Sequence, residues 1–391
     1  MSRFTVDATS AFEGPEWRRT HRAAAVARAA ASPMPSAEEE IWRYSRIGEL
    51  DLSRFAPEAD HADVTLTAPV EVITDGELDD VDDPDVFDEL VEAFGSRTLL
   101  RVPPGATIAE TIVIDHDISR DGAAVLSRLV IEAGSDSDVT VIERFRSPDE
   151  ITTLVVPTLE LRVGPAARVK YLAVNELGTS SWLIARQRAT SDRDSTTLIS
   201  AVSLGGDYAR VRTHARSIGP GASTRQIALY FADGTQMHDF RTTQEHIAPK
   251  TDSDLLFKGA VKDTARSVYT GLIKIGKEAR GTAAFQTNRN LTLAEGAWAE
   301  SVPNLEIETN DVKCSHASTV GPVDAEQRFY LESRGVPPEI AERLIVLGFF
   351  DEVIELLPLT TLAGEIRARV SAKLDNLQPV GANGRNEGTT A

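Results

Sequence analysis

The chain has 391 residues, of which 41% are hydrophobic, 26% charged and 6% aromatic, enough apolar content for a sizeable core and too much for wholesale disorder. With 41 Lys and Arg against 60 Asp and Glu the net charge is −19, which repels phosphate backbones and anionic lipid heads and argues against a nucleic-acid or membrane-surface protein. No apolar run reaches the roughly 18 residues that a bilayer span needs, and the single cysteine, Cys314, excludes a fold stapled by internal disulfides.

The N-terminus has no apolar h-region of the kind a secretory signal carries, so a reducing cytoplasm is the expected location. Trp17 to Ala31, rich in Ala and Arg, predicts a helix without a strong apolar stripe, broken by Pro33 and Pro35. Ser36 followed by Glu39 is the signature of a capping box and predicts a short helix packed through Ile41, Trp42, Tyr44 and Ile47. Residues 57–97, with the run DGELDDVDDP, read as a solvated acidic loop. Residues 1–97 thus form a helical and acidic N-terminal region.

From 98 to 321 the texture changes to short runs of Val, Ile, Leu and Thr between Gly, Pro, Asn and Asp. One phrase recurs: a tight turn holding Gly or Asp, small residues, then an apolar strand. Copies begin at Val102, Ile131, Leu161, Ile218, Ala260 and Leu293. Such a chain, lacking helical crossovers, builds a sandwich or a β-solenoid. The repeat favours the solenoid, in which each coil leaves an apolar face that only the next coil covers. After 322 the period becomes helical. A helix is predicted over Asp324–Arg334 and stopped by Gly335, and a second opens at Pro337 and Pro338. That second helix carries Ile340, Leu344, Leu347 and Phe350 on one face. A third runs from Ala363 to Leu377. Residues 322–377 form a helical module, and 378–391 a flexible tail.

No GxxxxGK(S/T) phosphate loop is present, so ATP hydrolysis by this chain is not expected; GxGxxG, GxSxG, HExxH and CxxC are absent as well. The densest local signal is DVKCSH, residues 311–316. In a strand Cys314 and His316 share a face, and a thiolate beside an imidazole suits iron or zinc, with Lys313 expected to favour the thiolate. Two ligands do not close a site, so the remainder must come from elsewhere, including another chain. An ordinary buried cysteine and a surface histidine fit the spacing equally. His238 and His246 are read as polar residues of a sheet face.

Residues 253–357 carry the stretches SDLLFKGAVKDTARSVYTGLIKI, QTNRNLTLAEGAWAESVPNLEIETNDVKCSH and STVGPVDAEQRFYLESRG. These closely resemble the SufB/SufD family of iron–sulfur cluster assembly proteins, and the N-terminal EEIWRYSRI fits the SufD branch. The resemblance implies a mainly β fold, a right-handed parallel β-helix with helical N- and C-terminal regions. It also implies a non-catalytic, cytoplasmic scaffold. Its partners would be a SufB-like chain and a SufC-like ABC ATPase docked on residues 322–377. His316 matches the family histidine implicated in cluster assembly at the interface between paralogues, and Cys314 the neighbouring cysteine. The cluster would be transient and shared with the partner chain; whether a reduced flavin also binds the complex stays open. Where the family commonly reads CSHGAT, this chain reads CSHAST, which removes a Gly after His316 and predicts an altered local turn. The rival readings are a β-helical polysaccharide-active enzyme and an architectural homodimer without a ligand role.

Overall fold

The computed structural model of the chain describes residues 3–58, 63–65, 70–74, 76–79, 81, 83–358 and 362–375. The expected tail over 378–391 lies outside the described residues.

The chain winds into a parallel β-solenoid of about eight turns, as the repeat predicts. Successive strands alternate between two sheets, and each pairs in parallel with the strand one coil earlier. In the first sheet Tyr208 sits beside Met237, Met237 beside Arg266, and Arg266 beside Trp298. In the second, Ile199 sits beside Gln226, Gln226 beside Leu255, and Leu255 beside Gln286. The first coil is bordered by two short antiparallel strands, Glu71–Thr74 on the first sheet and Asp63–Thr65 on the second. At the other end Trp298–Ile307 and Val312–Gly321 are the last strands of their sheets.

The turn residues do what their chemistry suggested. Gly105, Asp136, Ala166, Asp194, Gly221, Lys250 and Gly281 stack at one corner, all with φ between 56° and 75°. Each donates its N–H to a carbonyl of the next coil, from Gly105 to Ser135 through Gly281 to Asp311. A left-handed residue at every corner aims that N–H along the solenoid axis, so Gly, Asp and Asn are favoured there.

Each sheet buries its outer face under helices. Against the first lie α1 (Glu16–Ala31) and α2 (Val86–Phe94), whose Val26, Leu90 and Phe94 join Leu126, Val156 and Ile184. Over the second lie α4 (Pro338–Ile354) and α5 (Ala363–Lys373), with Val346, Phe350, Val353 and Val370 against Val174, Leu229 and Phe231. A further helix, α3 (Ala325–Ser333), buries none of its residues.

Three expectations are corrected. The acidic stretch is not all solvated loop: α2 lies within it and all nine of its residues are buried. Asp85 and Asp88 form its capping box, and Asp88 pairs with Arg186 and Arg188 on the first sheet. At its far end Arg18 and Arg22 of α1 donate to the carbonyls of Glu92, Gly95 and Ala93. Guanidiniums thus occupy the face of α1 where an apolar stripe was missing, and complete the C-terminus of α2. The short helix after Ser36 is only a 3₁₀ turn, Glu40–Trp42, although Ser36 N–H donates to the Glu39 carboxylate and the Ser36 hydroxyl accepts from Glu38 N–H. Trp42 and Ile47 are buried there while Tyr44 is 40% exposed. The face of α4 is rotated as well. Phe350 packs inward with Val346 and Val353, whereas Ile340 and Leu344 are 44% and 49% exposed.

Candidate functional site

The last coil builds the site. Cys314 and His316 lie on the edge strand Val312–Gly321, in register with Ala284 and Gln286 of the strand Thr282–Thr292. Along that neighbouring strand Thr282, Ala284, Gln286, Asn288 and Asn290 are buried, while Phe285 and Arg289 are exposed. Side chains alternate along a strand, so Cys314, His316 and Ser318 continue the interior face and Lys313 and Ser315 the outer one. A hydrogen bond of 2.7 Å from Ser318 to Ser301 links this strand to the other edge strand. The Cys-x-His pair therefore sits at the open mouth of the solenoid.

The two residues differ in setting. His316 is exposed. Cys314 is half-buried against an apolar cluster of Ile273, Ile275, Ala279 and Ala284. Burial pushes its thiol up from the ordinary value, which corrects the expectation that Lys313 would favour a thiolate: Lys313 faces the other side. A metal or a cation brought beside it would favour the thiolate. Ala317, in place of a glycine, leaves the strand uninterrupted, so no altered turn follows. Among the described residues no group of three or more His, Cys, Asp or Glu is gathered to hold a metal. A thiol and an imidazole on one face are of the right chemistry for iron, and among the described residues no third His, Cys, Asp or Glu is gathered with them.

His238 and His246 do not converge on this mouth. Both are fully buried on the first sheet. His246 bonds Thr251 at 2.7 Å through Nδ1 and Ser253 at 2.9 Å through Nε2, and His238 approaches the Gly205 carbonyl oxygen at 3.2 Å. Burial pushes His238 down to about 3 and His246 to about 4, so both are neutral interior groups.

The sequence reading quoted QTNRN only as a signature. The structure gives it a place: Gln286, Asn288 and Asn290 form an amide row one strand inside the mouth, each at most 2% exposed. Their spacing of two, matching the parity of Cys314, His316 and Ser318, was the available signal.

The family model described as "SUF system FeS cluster assembly, SufBD core domain" matches residues 116–349. The chain belongs to the SufBD family. This SufBD chain is 32% identical over 361 residues to an iron–sulfur cluster assembly SufBD family protein of Mycobacterium leprae, covering 88% of this chain and 90% of the relative. It is 29% identical over 302 residues to the SufD protein of Escherichia coli, covering 76% and 71%. It is 28% identical over 281 residues to the SufD of Bacillus subtilis, covering 70% and 63%. Iron–sulfur cluster assembly is the process in which this SufBD chain takes part. Among the described residues no helix is long and apolar enough to cross a membrane.

Proposed function

We propose that the chain is a SufD-like, non-catalytic cytoplasmic scaffold that presents His316, with Cys314 behind it, to a nascent iron–sulfur cluster shared with a SufB-like partner. The observation that carries this reading is the open end of the solenoid. Among the described residues, two adjacent edge strands of ten residues each leave their outer backbone groups without a neighbouring strand, with Trp298, Ile307 and Val320 39% to 42% exposed. Long, partly apolar edges are a template for strands of another chain. A partner seated there covers the mouth, excludes water from Cys314 and His316, and adds the ligands that one chain lacks. The cluster is the cargo; this chain contributes a sulfur and an imidazole nitrogen and holds them on a rigid strand.

A second surface suits a SufC-like ATPase. Phe329 and Tyr330 on α3 are 71% and 58% exposed, close in sequence to the exposed Ile340 and Leu344 of α4. Aromatic anchors of this kind concentrate binding energy, and the missing phosphate loop is then supplied by the docked subunit.

The test is anaerobic co-expression with SufB- and SufC-like subunits, with visible absorption, iron and sulfide counted per complex. His316→Ala is expected to leave the complex assembled and to lower its cluster content at least severalfold. An unchanged cluster yield defeats the ligand role. Purification of the chain as a homodimer that excludes a SufB-like subunit defeats the heteromeric pairing.

A further inference from the structure

One polar anomaly of the interior lies one strand inside the mouth. The Gln286 side chain is 1% exposed, and neither its Nε2 nor its Oε1 has a hydrogen-bond partner. The neighbouring amides are satisfied: Asn288 donates to the Tyr230 hydroxyl at 3.0 Å and the Phe257 carbonyl at 3.1 Å. Asn290 donates to Asn288 Oδ1 at 2.7 Å and accepts from Tyr230 at 2.7 Å. A buried amide that bonds nothing calls for a reason.

Space is kept for it on the opposite sheet. A Cβ at Gly271 would fall 2.3 Å from Gln286 Nε2 and 2.6 Å from the Tyr269 hydroxyl, so a methyl there would push the carboxamide from its place. Beyond Gln286 along the solenoid axis stands His316, its register partner on the same face. Adjacent strands lie about 4.8 Å apart, within reach of a glutamine turning about its last torsions.

We propose that Gln286 is the positioning residue of His316: Oε1 accepts the N–H of one imidazole nitrogen, so that the other nitrogen faces the open mouth unprotonated, ready to bind iron. The proposal rests on the reading of His316 as a ligand. A histidine that binds a metal through one nitrogen needs a fixed acceptor for the other, and a neutral carboxamide fixes the tautomer without adding charge to a buried site.

The tautomer is read directly from long-range ¹H–¹⁵N NMR of the histidine-labelled full chain with the ring neutral. His316 is expected to show one dominant tautomer in the native chain and a mixture of both in Gln286→Leu. Gln286→Glu, which retains an acceptor oxygen, restores the single form. Gly271→Ala, which displaces the amide from the far side, reproduces the mixture without touching either residue. Iron retained by the anaerobically assembled complex is expected to fall roughly tenfold in Gln286→Leu and to recover in Gln286→Glu. An unchanged tautomer in both Gln286→Leu and Gly271→Ala overturns the proposal. Iron retention that survives His316→Ala overturns the ligand reading instead, whatever the tautomer does.

Discussion

Lys258 is the residue on which the attachment of the C-terminal helices can be measured. It stands on the outer side of the strand Asp252–Val261, yet is 1% exposed because α4 covers it. Its Nζ donates to the Phe349 carbonyl at 3.0 Å, pairs with the Glu352 carboxylate and lies 4.5 Å from the centre of the Phe349 ring. The ammonium also holds the Glu352 carboxyl below its ordinary value. Lys258→Met keeps the apolar stem and removes all three contacts. The charged hydrogen bond is worth about 1.5 kcal/mol. The cation–π contact contributes about 1 kcal/mol. The ion pair adds less than about 1 kcal/mol because Glu352 is 55% exposed. Relief from burying an ammonium offsets part of this, leaving a loss of about 2 kcal/mol.

That loss is local, because α4 touches the second sheet and not the winding of the coils. Native-state hydrogen exchange is therefore expected to accelerate by roughly 30-fold for amides of α4, with the solenoid strands unchanged. Glu352→Gln, which removes only the screened charge, is expected to cost less than about 1 kcal/mol. Unchanged exchange in α4, or acceleration spread evenly through the strands, would refute the argument that this amine fastens the helical layer.

Acid should weaken the fold through two histidines. His238 and His246 have folded values pushed down to about 3 and about 4, so below pH 6.5 the unfolded chain binds protons that the folded chain refuses. Stability is lost progressively as pH falls from 6.5 toward 3. At pH 5 each histidine accounts for about 2 kcal/mol, and His246→Asn is expected to remove close to half of that part of the slope in urea titrations at pH 7 and pH 5. A slope identical in the variant would count against neutral burial. At the corner ladder, Gly221→Ala places a side chain at φ 75° with its Cβ 2.4 Å from Asp194 Oδ1, and is expected to lower stability by about 1–2 kcal/mol in the same assay. A neutral result would mean that the corner relaxes freely.

Local rules made the solenoid legible. Gly and Asp recur where a left-handed corner is needed, with Ala166 and Lys250 as the exceptions, and the strands between them alternate because one face meets the interior. The start and stop signals around Asp324, Gly335 and Pro338 placed the C-terminal helices for the same reason. What escaped was long-range. The carboxylates of α2 look solvated in sequence because their partners, Arg128, Arg186 and Arg188, lie on later coils. The inward face of α4 was misjudged because the helix is apolar nearly all round, and the sheet decides which stripe is covered. At the site, parity alone put Cys314 and His316 on one face. That this face opens at the end of the rod depends on where the last strand falls.

The column of interior residues leading to His316 explains why the end matters. Through successive coils of the second sheet it reads Ile112, Val141, Tyr171, Ile199, Gln226, Leu255, Gln286 and His316. The next inward column ends in Phe257, Asn288 and Ser318. Both columns end in polar residues at the mouth, and the first also carries Gln226 two coils before Gln286; the amides themselves are buried. A solenoid that merely stopped would need only a polar last coil for solubility. Carrying amides one coil deeper sacrifices apolar burial, at about 25 cal/mol for every Å² replaced, and leaves Gln286 without a bond. Selection for stability alone would replace it by an aliphatic residue, as Leu255 stands in the coil before. The arrangement makes sense when the lumen at this end is a working surface, with hydrogen-bonding groups set behind the strand that carries Cys314 and His316.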